Sequence, residues 1–174
     1  MKIFNETMKN IGPKIPINVL FACSGNICRS AYAEYIFRRI VDNSDILKDK
    51  ISVKSAALSF KNDTIDSRTK KMLIAEGFSE EEIDLHIPHY IQGNEKLFDE
   101  ADLILGFSND HRLACEKKYR EKFQMLSQIV LDLKVSIGDP YWTETFEQFQ
   151  EILNRVKELL DEFKIMLERR FSQL

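Results

Sequence analysis

The chain has 174 residues, 44% of them hydrophobic and 30% charged, with a net charge of −3, which suits one globular domain with its own core. A slightly acidic chain lacks the basic footprint of a nucleic-acid binder, and no apolar run reaches the length of a membrane span or a signal-peptide core. Three cysteines do not make a secreted disulfide framework, so the cytoplasm is the expected compartment, with neither nucleic acid nor membrane as partner.

Residues 1–16 are polar and broken by Gly12, Pro13 and Pro16. They read as an N-terminal extension, an arm or a short packed piece, ahead of a single domain over 17–174. Ile17 to Ala22 is an apolar run with the character of a buried strand. From Ala31 onward, Tyr32, Ile36 and Ile40 recur at helical spacing. Ile51 to Ser55 alternates like a second strand. Asp66 or Ser67 can cap a helix carrying Met72, Leu73 and Ile74 that stops at Gly77. Asp102 to Phe107 is a third strand, followed by cap residues Ser108, Asn109 and Asp110 for a helix through Tyr119. A fourth strand belongs between Phe123 and Leu133. The last helix starts near Thr143 and puts Phe146, Phe149, Ile152, Leu153, Val156, Leu159, Leu160 and Phe163 on one face as core packing. Strands alternating with helices predict an α/β fold: one three-layer domain with a four-stranded parallel sheet and helices on both faces.

Between the first strand and its helix lies Cys23-Ser24-Gly25-Asn26-Ile27-Cys28-Arg29-Ser30. A loop in that position turns successive backbone N–H groups into one concavity, and the helix N-terminus adds partial positive charge. The result is a cradle for a tetrahedral oxyanion. Gly25 and Asn26 are residue types that tolerate the positive φ of a tight curl. Cys23 enters where the strand ends, at the floor of the cradle, where N–H dipoles and Arg29 favour a thiolate. The planar fork of Arg29 can grip two phosphate oxygens, and the Ser30 hydroxyl can bond the thiolate. The chemistry these residues imply is attack of sulfur on phosphorus, with a phosphocysteine intermediate.

Val19 to Ala22, Cys23-x-Gly25-Asn26-Ile27-Cys28-Arg29-Ser30-x-x-Ala33-Glu34, then Ser55-Ala56, Asp66-x-Arg68 and Asp139-Pro140-Tyr141-Trp142 together resemble the low-molecular-weight protein tyrosine phosphatases over roughly residues 17–163. The resemblance implies hydrolysis of phosphotyrosine in a protein substrate, no cofactor and no metal, and inhibition by inorganic phosphate or vanadate. It makes Asp139 the general acid and base, a role that the exposed Gly138-Asp139-Pro140 turn suits and that supplies roughly 10²–10⁴-fold. Tyr141 and Trp142 then wall the pocket against an aromatic ring; packing of Trp142 in the core is the alternative. Ser55 is expected to hydrogen-bond Asn26, and Cys28 to form a protective oxidised pair with Cys23. His86 matches a family histidine, with a structural role equally open. His111 and Cys115 stand four apart, as metal ligands can, with no second pair to complete a site.

The sequence also departs from the family pattern. Ser24 replaces a bulkier wall residue, Ala31 a proline, Ala57 a glycine, and Phe107-Ser108 a Met-Asp pair. At position 27, members resembling phosphoarginine phosphatases carry threonine, whose hydroxyl can orient water and receive a polar leaving group. Ile27 has none, so the reading favours phosphotyrosine. Phosphoarginine hydrolysis, an arsenate-reductase-like thiol relay and a non-catalytic phosphate-binding module remain as rivals.

Overall fold

The computed structural model describes residues 1–173. Four parallel strands, β1 (Ile17–Cys23), β2 (Ile51–Ala57), β3 (Leu103–Gly106) and β4 (Phe123–Met125), lie in the order β2-β1-β3-β4. With β1 inside the sheet, alternate residues feed two cores. Ile17, Val19, Phe21 and Cys23 face one, and Leu20 and Ala22 face the other. The first core is closed by α2 (Arg29–Asp42) and α8 (Phe146–Phe171), where Phe37 stacks on Phe163 at 5.3 Å between centroids. The crossover β1-α2-β2 registers Cys23 against Ala57, so the first two strands end together and their loops open at the same edge.

Several boundaries differ from the pattern read in the sequence. Of the two forms open to residues 1–16, an arm or a short packed piece, the structure has the packed one: α1 (Lys2–Ile11) buries Phe4 and Met8, and Phe4 meets Phe163 edge-on at 6.2 Å. Asp132, at φ 56°, accepts the N–H groups of Lys2 and Ile3 at 3.0 and 2.9 Å and so caps that helix from a distant turn. Asp66 caps α3 (Ser67–Ala75), and the short helices α4 (Glu80–Asp84) and α5 (Glu95–Glu100) follow. The helix expected through Tyr119 is only α6 (Asn109–Ala114). Its chain turns extended at Cys115, which is buried in the second core, and resumes as a 3₁₀ segment, Lys117–Lys122. The fourth strand is three residues long, because α7 (Leu126–Leu131) begins at once and packs against α8. The last helix starts at Phe146 instead of Thr143, where Thr145 and Gln148 form a reciprocal capping box.

Candidate active site

Cys23 ends β1 almost fully buried, and its Sγ lies 2.9 Å from Ser30 Oγ. Ser30 Oγ also accepts Nδ2–H of Asn26 at 2.9 Å, so the hydroxyl proton of Ser30 is left for the sulfur. Asn26 holds the curl at φ 54°, and every polar group of its side chain is bonded. Nδ2 also donates to Ser55 Oγ at 2.7 Å, and Oδ1 accepts the His89 N–H at 3.0 Å. Ser55 in turn donates to Glu34, a buried carboxylate. Gly25 is needed for a different reason than positive φ. The Asn62 side chain crosses it to donate to its carbonyl at 2.9 Å, and a Cβ there would stand 2.7 Å from Asn62 Nδ2.

Arg29 opens α2, is 4% exposed, and reaches across the cavity floor. Its Nη1 donates to the carbonyls of Ile137 and Gly138 at 3.0 and 3.2 Å, and Nη2 lies 3.2 Å from Asp139 Oδ2. Arg29 Nε is buried with no partner among the described residues. A buried N–H without an acceptor costs roughly 1–3 kcal/mol, so this edge of the guanidinium is built for a ligand. Sulfur, guanidinium and Asp139 line one cavity of about 380 Å³.

Comparison with known proteins gives this arrangement a lineage. Residues 18–173 match the family model described as low molecular weight phosphotyrosine protein phosphatase. The chain belongs to that family. It is 25% identical over 154 residues to the protein-arginine-phosphatase of Bacillus subtilis, covering 83% of this chain and 97% of that one. It is 29% identical over 144 residues to the low molecular weight protein-tyrosine-phosphatase YfkJ of the same organism, covering 79% and 88%. Among solved structures, the YwlE arginine phosphatase of Geobacillus stearothermophilus superposes with a TM-score of 0.76 over 91% of this chain and 97% of that one, at 21% identity.

In this phosphatase-family chain the expected wall residues are at the cavity mouth. Tyr141 is 50% and Trp142 78% exposed, edge to face at 5.1 Å, so Trp142 is not a core residue. Phe60, 64% exposed, completes the rim, and the sequence reading missed it. The turn that carries Asp139 and Tyr141 is tied to the cradle by one chain of bonds. The Asp66 N–H donates to the Ile27 carbonyl at 3.2 Å, and its carboxylate grips Arg68 Nε and Nη2 at 3.2 and 2.9 Å. Arg68 then donates to the Tyr141 carbonyl at 3.3 Å while lying over Phe149. Burial opposes ionisation of Asp66, but Arg68 and two backbone N–H groups hold its carboxyl below the usual range.

Three other side chains lie at or beside the cradle. His86 Nε2 lies 3.0 Å from the Asn26 carbonyl, and burial lowers its pKa. It meets the cradle at the backbone, a structural place. Cys28 lines the cavity floor, and burial, then the charge of Asp66, push its thiol well up. His111 does not share a site with Cys115, which packs in the second core. Instead it faces the cradle: its Nδ1 accepts the Phe107 N–H at 3.1 Å, and its Nε2 lies 3.3 Å from Ser24 Oγ. Burial, then the charge of Arg29, lower its pKa to about 3.

Proposed function

We propose that this chain is a protein tyrosine phosphatase working through a phosphocysteine intermediate, with Cys23 as nucleophile, Arg29 as phosphate clamp and Asp139 as acid and base. The observation that carries the reading is the unpartnered, buried Nε of Arg29 in the same cavity as the Cys23 sulfur, which Ser30 hydrogen-bonds. A phosphate there receives the Arg29 edge and the N–H groups of the loop, and phosphorus comes down over the sulfur. In the first step a sulfur–phosphorus bond forms as the phosphorus–oxygen bond breaks, and protonated Asp139 gives its proton to the leaving oxygen. In the second step Asp139 takes a proton from water, the water oxygen attacks phosphorus, and the sulfur leaves as thiolate. The half-buried position of Asp139 at the cavity, open to solvent on one side, suits both exchanges. Expressed protein should hydrolyse p-nitrophenyl phosphate without added metal, and vanadate should stop it. Absence of hydrolysis with tight phosphate binding would instead make the chain a binding module.

Similarity to the Bacillus subtilis arginine phosphatase over nearly its whole length makes phosphoarginine the second reading. Ile27 argues against it. This side chain lines the cavity, packs against the core and offers no hydrogen bond. A guanidinium leaving group would be left partly unpaired at roughly 1–3 kcal/mol, so kcat/KM on phosphotyrosine peptides should exceed that on phosphoarginine by about 5–150-fold. Ile27→Thr should move the ratio toward arginine. Equal or better activity of the natural chain on phosphoarginine would reverse the assignment.

A further inference from the structure

Ser24 in the cavity wall pairs with the buried His111 behind it, a contact that the mechanism above does not use. A backbone N–H can only donate, so the bond from Phe107 N to His111 Nδ1 makes Nδ1 an acceptor. The ring is buried beside Arg29 and neutral, which puts its single proton on Nε2. Nε2–H therefore donates to Ser24 Oγ, and the serine oxygen is the acceptor of that bond. The hydroxyl proton of Ser24 then has no protein acceptor among the described residues, and Ser24 lines the cavity one residue after the sulfur. The serine is also fixed from behind: its carbonyl accepts the N–H groups of Ser59 and Phe60 at 3.0 and 2.9 Å, tying it to the segment that carries the rim.

We infer that the Ser24 hydroxyl is a directed hydrogen-bond donor to the ester oxygen of the bound phosphomonoester, and that His111 is the positioning residue that aims it. The inference rests on the phosphocysteine reading. In the first step the sulfur–phosphorus bond forms, the phosphorus–oxygen bond breaks, and the leaving oxygen takes its proton from Asp139. Ser24 keeps its own proton and shares it with the second lone pair of that oxygen as negative charge builds there. A donor placed where charge develops stabilises the transition state more than the bound substrate.

The inference is tested with an aryl phosphate series of rising leaving-group pKa, with inorganic phosphate as competitive inhibitor. Ser24→Ala should lose about 3–10-fold in kcat on the poorest leaving groups, the worth of one hydrogen bond. It should lose little on p-nitrophenyl phosphate, and phosphate, whose fourth oxygen takes the place of the ester oxygen, should inhibit less well by no more than that same factor. Ser24→Thr, which keeps the hydroxyl, should restore the natural slope. In His111→Asn the shorter amide can still accept the Phe107 N–H but cannot reach Ser24, so it should copy Ser24→Ala, and the double variant should lose no more than either. An equal loss across the series or no loss would overturn the role of Ser24. Natural behaviour of His111→Asn would overturn the positioning role and leave the histidine as a cap for Phe107. If the natural chain cleaves no member of the series, this inference and the parent reading fall together, a result distinct from an active enzyme indifferent to Ser24.

Discussion

Cys23 and Cys28 both face the cradle, yet their surroundings divide the labour between them. Cys23 has the Ser30 hydroxyl at 2.9 Å, itself held by Asn26, whereas burial and the charge of Asp66 keep Cys28 a neutral thiol. Only a thiolate is an effective nucleophile, so Cys28 does not substitute for its neighbour. Cys23→Ser should abolish turnover while vanadate binding, followed by calorimetry, largely survives. Cys28→Ser should keep turnover and lose recovery after peroxide, the outcome expected if Cys28 guards the sulfenate by forming a disulfide. Two equally dead variants would refute this division. The cysteine, Gly25, Asn26, Arg29 and Ser30 were legible because they fall within one eight-residue stretch, and their residue types have few reasons to occur together. The pairing of Ser24 with His111 was not, because it joins positions 87 apart in the chain and no local pattern links the two. Asn62 over Gly25 and Phe60 at the rim escaped notice for the same reason.

At the scale of elements, α1 is a packed part of the core. Phe4 is 3% exposed and meets Phe163 of α8, which itself stacks on Phe37 of α2. Truncating a buried phenylalanine typically costs about 3–5 kcal/mol, so Phe4→Ala should lower the urea midpoint accordingly. Activity under native conditions should persist, since no α1 residue lines the cavity. A loss below about 1 kcal/mol, the range of surface substitutions, would mean the helix merely leans on the domain. The helical spacing of Ile3, Phe4, Met8 and Ile11 was present in the sequence, but the breakers Gly12, Pro13 and Pro16 drew the reading toward a polar extension. Long strands and α8 were legible from alternation and from a stripe sustained over several turns. The short pieces were not: β4 has three residues, and its apolar continuation reads equally as strand or as α7. Gly106 is another example. A Cβ there would stand 2.1 Å from the Phe123 ring, so the glycine admits an aromatic ring from β4, a need invisible until the strands are paired.

For the whole molecule, the parallel sheet brings the ends of β1 and β3 together, and His111 links them by bonding both Phe107, just past β3, and Ser24, just past β1. That link ties fold stability to pH. The ring is 2% exposed, and its pKa falls from 6.5 to about 3 on folding, through burial and then Arg29. Between those values the unfolded chain binds a proton at this site that the folded chain refuses. The contribution of His111 to stability is therefore complete above pH 6.5 and is lost as pH falls toward 3, by about 1.4 kcal/mol per unit at most. His86, lowered in the same direction by its own burial, adds to the same limb, and Asp66, lowered by Arg68, adds below the carboxylate range. Replacing His111 removes only its own share. His111→Asn should be less stable at pH 6.5, but between pH 6.5 and 5 it should lose roughly 2 kcal/mol less than the natural chain. Urea midpoints for both proteins at the two pH values measure the difference directly. Parallel losses would show that the ring accepts a proton in the folded state. The fixed tautomer would then not hold at acid pH, and with it would go the aim of the Ser24 hydroxyl.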